Sequence, residues 1–184
     1  MEYYSKQSSK NYELVPLNKN HMEILFNWSL QEKNFQCYTC RPLKLINSFD
    51  EYVNKILISV SEAQQFIYVL VNQDNCKVHL GKITLFDLNP RNHSAEFGYY
   101  LPENNRGQNL GNIMISKFIQ RCFKNDELNL NKLYATTSSN NYSSIKLLEK
   151  YGFKLDGRLR EHYWIDENRY DQLIYSILKQ EWTK

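Results

Sequence analysis

No apolar run in this 184-residue chain approaches the roughly 18 residues of a membrane span. A helical membrane protein is therefore excluded. Like charges never gather into a block of about five or more, and the formal net charge is only +3. That is too little to argue for a nucleic-acid partner. The first stretch, MEYYSKQSSKNYE, is polar and carries an early acid, so it does not read as a signal peptide and a cytoplasmic location is expected. Repeats, low-complexity tracts and linkers are all missing. One domain is expected over residues 12–184, behind a loose leader of residues 1–11. Cysteine is scarce, with four in the chain. Cys37 and Cys40 make one CxxC, but neither Cys76 nor Cys122 adds a second pair or a close histidine at ligand spacing, so no metal is expected. The strand-to-helix setting of a thioredoxin-like redox pair is not evident either.

What is present suits a packed core: 42% hydrophobic residues, with 14 Tyr, 9 Phe and 3 Trp. Tyr12 to Leu17 reads as a first strand broken by Pro16. Asn18 or Asn20 caps a helix through about Leu30, with Met22, Leu25, Phe26 and Trp28 or Ser29 on its apolar face. An irregular stretch follows that mixes Phe35, Tyr38, Arg41 and Lys44. Ser48 then caps a second helix whose stripe is Phe49, Val53, Ile56, Leu57 and Val60. Strands are expected at Phe66–Asn72, at His79–Leu88 with Gly81 as a bulge or close-approach point, and across Ala95–Leu101. Short turns make these three an antiparallel meander. A helix over 111–124 carries Ile115, Phe118, Ile119 and Cys122 on one face. It leads to a strand at Lys132–Thr137, and the crossover implies parallel pairing with the Glu96 strand. Asn140-Asn141 caps a helix over Tyr142–Lys150, which Gly152 stops. Phe153–Arg160 and Tyr170–Leu178 form a closing pair around Asp166-Glu167-Asn168. The whole is a mixed α/β sheet.

The chain is organised around AEFGYYLPENNRGQNLG, from Ala95 to Gly111. A strand feeds a Gly-bearing basic loop, and the loop feeds a helix N-terminus. Free backbone N–H groups, the positive end of a helix dipole and Arg106 suit a phosphate there. The loop has neither Walker nor dinucleotide-fingerprint spacing, and a plain strand-to-helix connection would look similar.

Together with NNYSSIKLLEKYGF and the ending GRLREHYWIDENRYDQLIYSILKQEW, this stretch resembles the GNAT superfamily of N-acetyltransferases. Within it, the chain is similar to the branch of the ribosomal-protein alanine acetyltransferases and related small-molecule acetyltransferases. The resemblance covers about Tyr12 to Trp182. It implies a largely antiparallel twisted sheet with a central parallel, splayed strand pair and flanking helices, and acetyl-CoA as cosubstrate. The acetyl group would pass directly to a primary amine, on a protein N-terminus or a small molecule, in a ternary complex. By this resemblance acetyl-CoA would be held by Phe97, Tyr99 and Leu101, by the loop Arg106, Gly107, Gln108, Asn109, Leu110, Gly111 and Asn112, and by Asn141 and Ser144. Asn109 stands where the family's middle Gly would be, and Asn is the side chain most tolerant of positive φ.

Acetyl transfer needs a neutral amine, an oriented thioester, a donor to its carbonyl oxygen and a proton for the leaving thiolate. Glu96 is the candidate general base; the plain alternative is a solvated strand residue. A backbone N–H near Tyr99 would polarise the thioester carbonyl. Ser144 would supply the proton, or instead bond its own helix backbone. Leu148 stands where many members carry a tyrosine. Phe35, Tyr38, Arg41, Arg160, His162, Tyr163 and Trp164 are candidates to line the acceptor groove, although aromatic packing would explain most of them. The acceptor itself is not readable, and a homodimer is compatible with the chain. A non-catalytic CoA-binding or ligand-sensing module of the same fold is the alternative reading, motivated by Asn109 and Leu148.

Overall fold

A computed structural model describes residues 12–41 and 45–182, with residues 75–77 described in their backbone only. The expected leader and Lys44 lie outside the described residues. Seven strands form one sheet in the order β1-β2-β3-β4-β5-β7-β6. They are β1 Tyr12–Pro16, β2 Gln65–Asn72, β3 Asn75–Asn89, β4 Ser94–Tyr100, β5 Lys132–Ser138, β6 Lys154–Ile165 and β7 Asn168–Leu178. The helices are α1 Met22–Gln31, α2 Phe49–Ser61, α3 Leu110–Lys124 and α4 Tyr142–Lys150. All pairings are antiparallel except β4 with β5, which is parallel.

Strand alternation divides the buried side chains between the two faces of the sheet. Leu70 on β2 joins Leu85, Phe97, Leu133 and the inner face of α3, with Leu148 of α4. Val69 and Val71 turn the other way, onto Leu25 and Trp28 of α1 and Tyr52 of α2. Helix α3 buries Ile115, Phe118, Ile119 and Cys122, as its periodicity predicts, and also Met114 and Phe123. Each such side chain is worth about 1.5–3 kcal/mol of burial, so packing rather than propensity holds the helix.

Local chemistry sets the ends. Pro16 completes β1 instead of breaking it, because β1 is an edge strand, and Leu17 N–H still reaches the Ile67 carbonyl at 2.9 Å. Asn18 caps a short 3-10 turn, Lys19–His21, that leads into α1. Gly152, at φ +83, ends α4, and Phe153 N–H returns to the Leu148 carbonyl at 3.1 Å. The expected face of α2 is corrected. Phe49 and Leu57 are each 41% exposed, and the buried residue is Tyr52. Of the predicted stripe Ile56 packs against the cluster beneath the sheet, beside Tyr52, which the stripe did not include.

Candidate active site

Parallel pairing of β4 with β5 stops after Ser94↔Lys132, Ala95↔Leu133 and Glu96↔Tyr134. Beyond Glu96, β4 stays with β3 as far as Lys82↔Tyr100, and β5 stays with β7 as far as Ser138↔Gln172. The two strands therefore part, and their facing edges bond to no strand. A cleft of about 640 Å³ opens between them, walled by Phe97–Leu101 on one side and Ala135–Thr137 on the other. The loop from Arg106 to Asn112 closes one end, and α4 contributes Asn141 and Ser144. Of the twelve positions expected to hold a cofactor, Gln108 alone is turned out, exposed, and donates to the Asn104 carbonyl at 2.7 Å.

The loop conformation follows from its residues. Gly107 has φ +74, and Asn109 adopts the left-handed conformation at φ 63 as the N-cap of α3. The Asn109 side chain is turned aside, its Oδ1 accepting from Asn112 Nδ2 at 2.7 Å. Gly111 lets α4 come close, since a Cβ there would lie 3.1 Å from Leu147 Cδ2. Asn112 Oδ1 and Thr137 Oγ1 are buried without a hydrogen-bond partner, and both residues line the cleft. Orphaned polar atoms beside free helix N–H groups fit an elongated anionic ligand such as CoA, with its diphosphate at α3 and its amide-bearing arm between the strands. Arg106 does not aim its charge into the loop. Its Nε donates to the Leu101 carbonyl at 2.9 Å, and Nη2 meets Glu32 Oε2 at 2.5 Å. The cation thus ties the loop to the end of α1.

Glu96 projects to the face opposite Phe97 and is only 7% exposed; it is no solvated strand residue. Its Oε1 accepts from Thr136 Oγ1 at 2.8 Å and its Oε2 from Arg41 Nη2 at 3.1 Å. Burial pushes the carboxyl above its ordinary range, while Thr136 and Arg41 pull it back. On the cleft side, the Tyr99 hydroxyl stands 2.9 Å from Ser144 Oγ. Burial pushes this phenol up to about 12, against the pull of the Ser144 hydrogen bond, so it keeps its proton at neutral pH. Asn141 caps α4 and accepts from Ser144 N–H at 3.3 Å. Leu148 is fully buried in the core. The phenol at Ser144 therefore comes from β4, not from α4.

The acceptor-side candidates divide. Tyr38 lines the cleft and meets Tyr100 edge-on at 6.5 Å. Phe35 is half-buried on the same short turn, Arg41 reaches Glu96, and Tyr163 is buried. Arg160, His162 and Trp164 are not brought to the cleft. Between Leu159↔Gln172 and Tyr163↔Tyr170, β6 bulges outward, held by the Glu161 N–H donating to Asp171 Oδ1 at 2.9 Å. Arg160 and His162 border a separate shallow depression on that bulge. Trp164 is 61% exposed, with the Arg169 guanidinium over its ring. Sequence reasoning missed Asp87, Thr136 and Glu32. Asp87 is turned to Glu96 by a bulge after Phe86 that no residue pattern there announces. The Thr136 and Glu32 contacts join residues 40 and 74 positions apart, and no local pattern announces them.

Among the described residues no helix is long and apolar enough to cross a membrane, and no group of three or more His, Cys, Asp or Glu could hold a metal ion. The family described as acetyltransferase (GNAT) domain matches residues 12–154. The chain is 30% identical over 102 residues to a Bacillus subtilis protein named ribosomal N-acetyltransferase YdaF, 55% of each chain. It is 33% identical over 137 residues to the prophage-derived N-acetyltransferase YokL of Bacillus subtilis, 73% of this chain and 72% of that one. The matches thus span between about half and three-quarters of these relatives' lengths. Among solved structures, spermidine N-acetyltransferase from Vibrio cholerae, in complex with CoA and spermine, superposes with a TM-score of 0.82 at 22% identity, covering 94% of this chain and 98% of that one.

Proposed function

The chain belongs to the GNAT acetyltransferases, and on that premise we propose that it passes the acetyl group of acetyl-CoA directly to a primary amine. The amine would be a small molecule or a protein N-terminus, and both substrates would be bound together. The observation that carries this is the parting of β4 from β5 at Glu96, which sets a buried carboxylate on one side of the opening and a hydroxyl pair on the other.

Acetyl-CoA supplies an activated thioester; the chain supplies position and proton transfer. The N-terminus of α3, with Gly107 and Asn109 in left-handed conformations, presents N–H groups to the diphosphate. The edges of β4 and β5 bond the amide-bearing arm as an added strand would. Glu96, its carboxyl raised by burial and paired with Arg41, takes a proton from the incoming ammonium. The neutral nitrogen then forms the C–N bond as the C–S bond breaks. Ser144 Oγ, backed by the Tyr99 hydroxyl, gives its proton to the leaving thiolate and is reprotonated by the second proton that the new amide nitrogen sheds.

Thiol release from acetyl-CoA, followed with spermidine and with an alanine-initiated peptide, tests the reading. Release with either amine, lost in Glu96→Gln, is the expected result. Tight acetyl-CoA binding by calorimetry with no release from any primary amine would instead make this a CoA-binding module.

A further inference from the structure

The acceptor side of Glu96 already holds a cation. Arg41 Nη2 lies 2.5 Å from Asp87 Oδ2 and 3.1 Å from Glu96 Oε2, and the guanidinium carbon is 5.1 Å from the centre of the Phe86 ring. One charged nitrogen is shared by two carboxylates beside an aromatic face, which is how proteins receive ammonium groups. Strand alternation alone would not build this. Phe86 lies opposite Glu96 in the β3–β4 ladder, so both project toward α1 and α2, and Asp87 would follow Leu85 to the other face. A bulge between Phe86 and Asn89, with Asp87 at φ 48, turns its carboxylate back beside Glu96. A second observation is independent of these contacts. The Tyr163 hydroxyl is buried without a hydrogen-bond partner, in a side chain only 3% exposed. Burial raises this phenol, and Cys40, next in the chain to Arg41, raises it further together with Glu96. A buried hydroxyl with at most a thiol for company is open to a bound polar molecule.

We propose that the acceptor's protonated amine binds where the Arg41 guanidinium now sits, between Asp87, Glu96 and Phe86, so that Arg41 is a built-in competitor of an aliphatic ammonium substrate. This rests on the acetyl-transfer reading for what brings an amine to Glu96, and narrows that amine to one delivered as a cation. Exchange is easy at the outer end, where the Arg41 and Asp87 side chains are 57% and 49% exposed and an ion pair contributes little. Glu96, at 10%, keeps a positive partner throughout, so its buried charge is never left bare. Glu96 then takes one proton from the bound ammonium, and the freed nitrogen is the nucleophile. Its product is a neutral amide that neither carboxylate holds, and the return of Arg41 expels it.

The probe is 1,4-diaminobutane, titrated calorimetrically into the wild type, Arg41→Ala, and Arg41→Ala combined with Asp87→Asn. Arg41→Ala is expected to bind it about tenfold more tightly, because the occupied fraction of the site is freed, and Asp87→Asn reverses the gain. Methylguanidine, a replica of the missing side chain, competes with the diamine in Arg41→Ala. Equal or weaker diamine binding by Arg41→Ala overturns the proposal. Should that variant melt early, Arg41→Gln, which keeps the stem and loses the charge, is judged by the same criterion. Thiol release is followed in parallel. A binding gain without release leaves this cation site standing and removes acetyl transfer. Release whose diamine KM is indifferent to Arg41 does the reverse.

Discussion

Glu96 shows how one side chain sets two opposed properties. Its carboxyl is raised in the folded chain, chiefly by burial, so the native state holds its proton more tightly than the unfolded state does. The stability this provides is complete below the unfolded pKa and is lost as pH rises through the folded one. At neutral pH the ionised carboxylate is thus a burden on the fold. Glu96→Gln is expected to lower kcat/KM by about 100-fold, the low end for a general base, while melting no lower than the wild type. Thermal melts at pH 7 beside initial rates check this, and an early melt would mean that Thr136 and Arg41 outweigh burial. The acid limb of the rate profile should stand above the ordinary carboxylate range. Tyr99 and Ser144 act as a pair at 2.9 Å. Tyr99→Phe and Ser144→Ala should each cut kcat by about tenfold or more, and the double variant should lose less than their product, as coupled groups do.

At the level of elements, two close approaches govern the cleft. A Cβ at Gly81 would lie 2.7 Å from the Tyr100 carbonyl oxygen and 2.6 Å from Leu101 Cδ2. The carbonyl cannot swing aside, so Gly81→Ala should push β3 from the end of β4 and cost about 1–3 kcal/mol, seen as an earlier melt and weaker acetyl-CoA binding. At Asn109, φ 63 penalises side chains other than Asn and Asp. Asn109→Gly should keep stability and acetyl-CoA affinity, whereas Asn109→Val should lose about 1–2 kcal/mol. Both positions were legible beforehand, because positive φ and close approach select residue types locally. The ends of α4 were legible for the same reason, from Asn141 and Gly152. The parallel β4–β5 pairing could be inferred from the intervening α3. Side-chain meetings across elements could not. Arg106 was expected at a phosphate and lies on Glu32, 74 residues away. Asp87 reached its partner through a bulge that one altered register step creates. The exposed side of α2 was misread because periodicity gives the width of an apolar face but not how much of it another element covers.

Across the whole molecule, the sheet is two blocks, β1–β4 and β5–β7, joined in the ladder by three residue pairs. A ligand seated between the blocks binds the folded chain alone. Acetyl-CoA at about 100 times its Kd should add about 2.7 kcal/mol, a rise of about 5–10 °C at roughly 2–4 °C per kcal/mol, measured as a thermal shift. A smaller gain for acetate than for acetyl-CoA is expected, since acetate cannot span the gap. The division has a further consequence for how the protein behaves in concentrated solution. An open sheet has two edges, each a template for another chain's strand. Here the outer ones are blunted, β1 by Pro16 and by the Arg121 guanidinium on the Leu14 carbonyl at 3.0 Å, β6 by its bulge and its charged Lys154, Arg158 and Arg160. The parting of β4 from β5 adds two more edges, and the parted lengths of both strands, 97–100 and 135–138, carry no proline or charged side chain of their own. Their safeguard is the concave mouth they share, and the cosubstrate that fills it doubles as protection against aggregation.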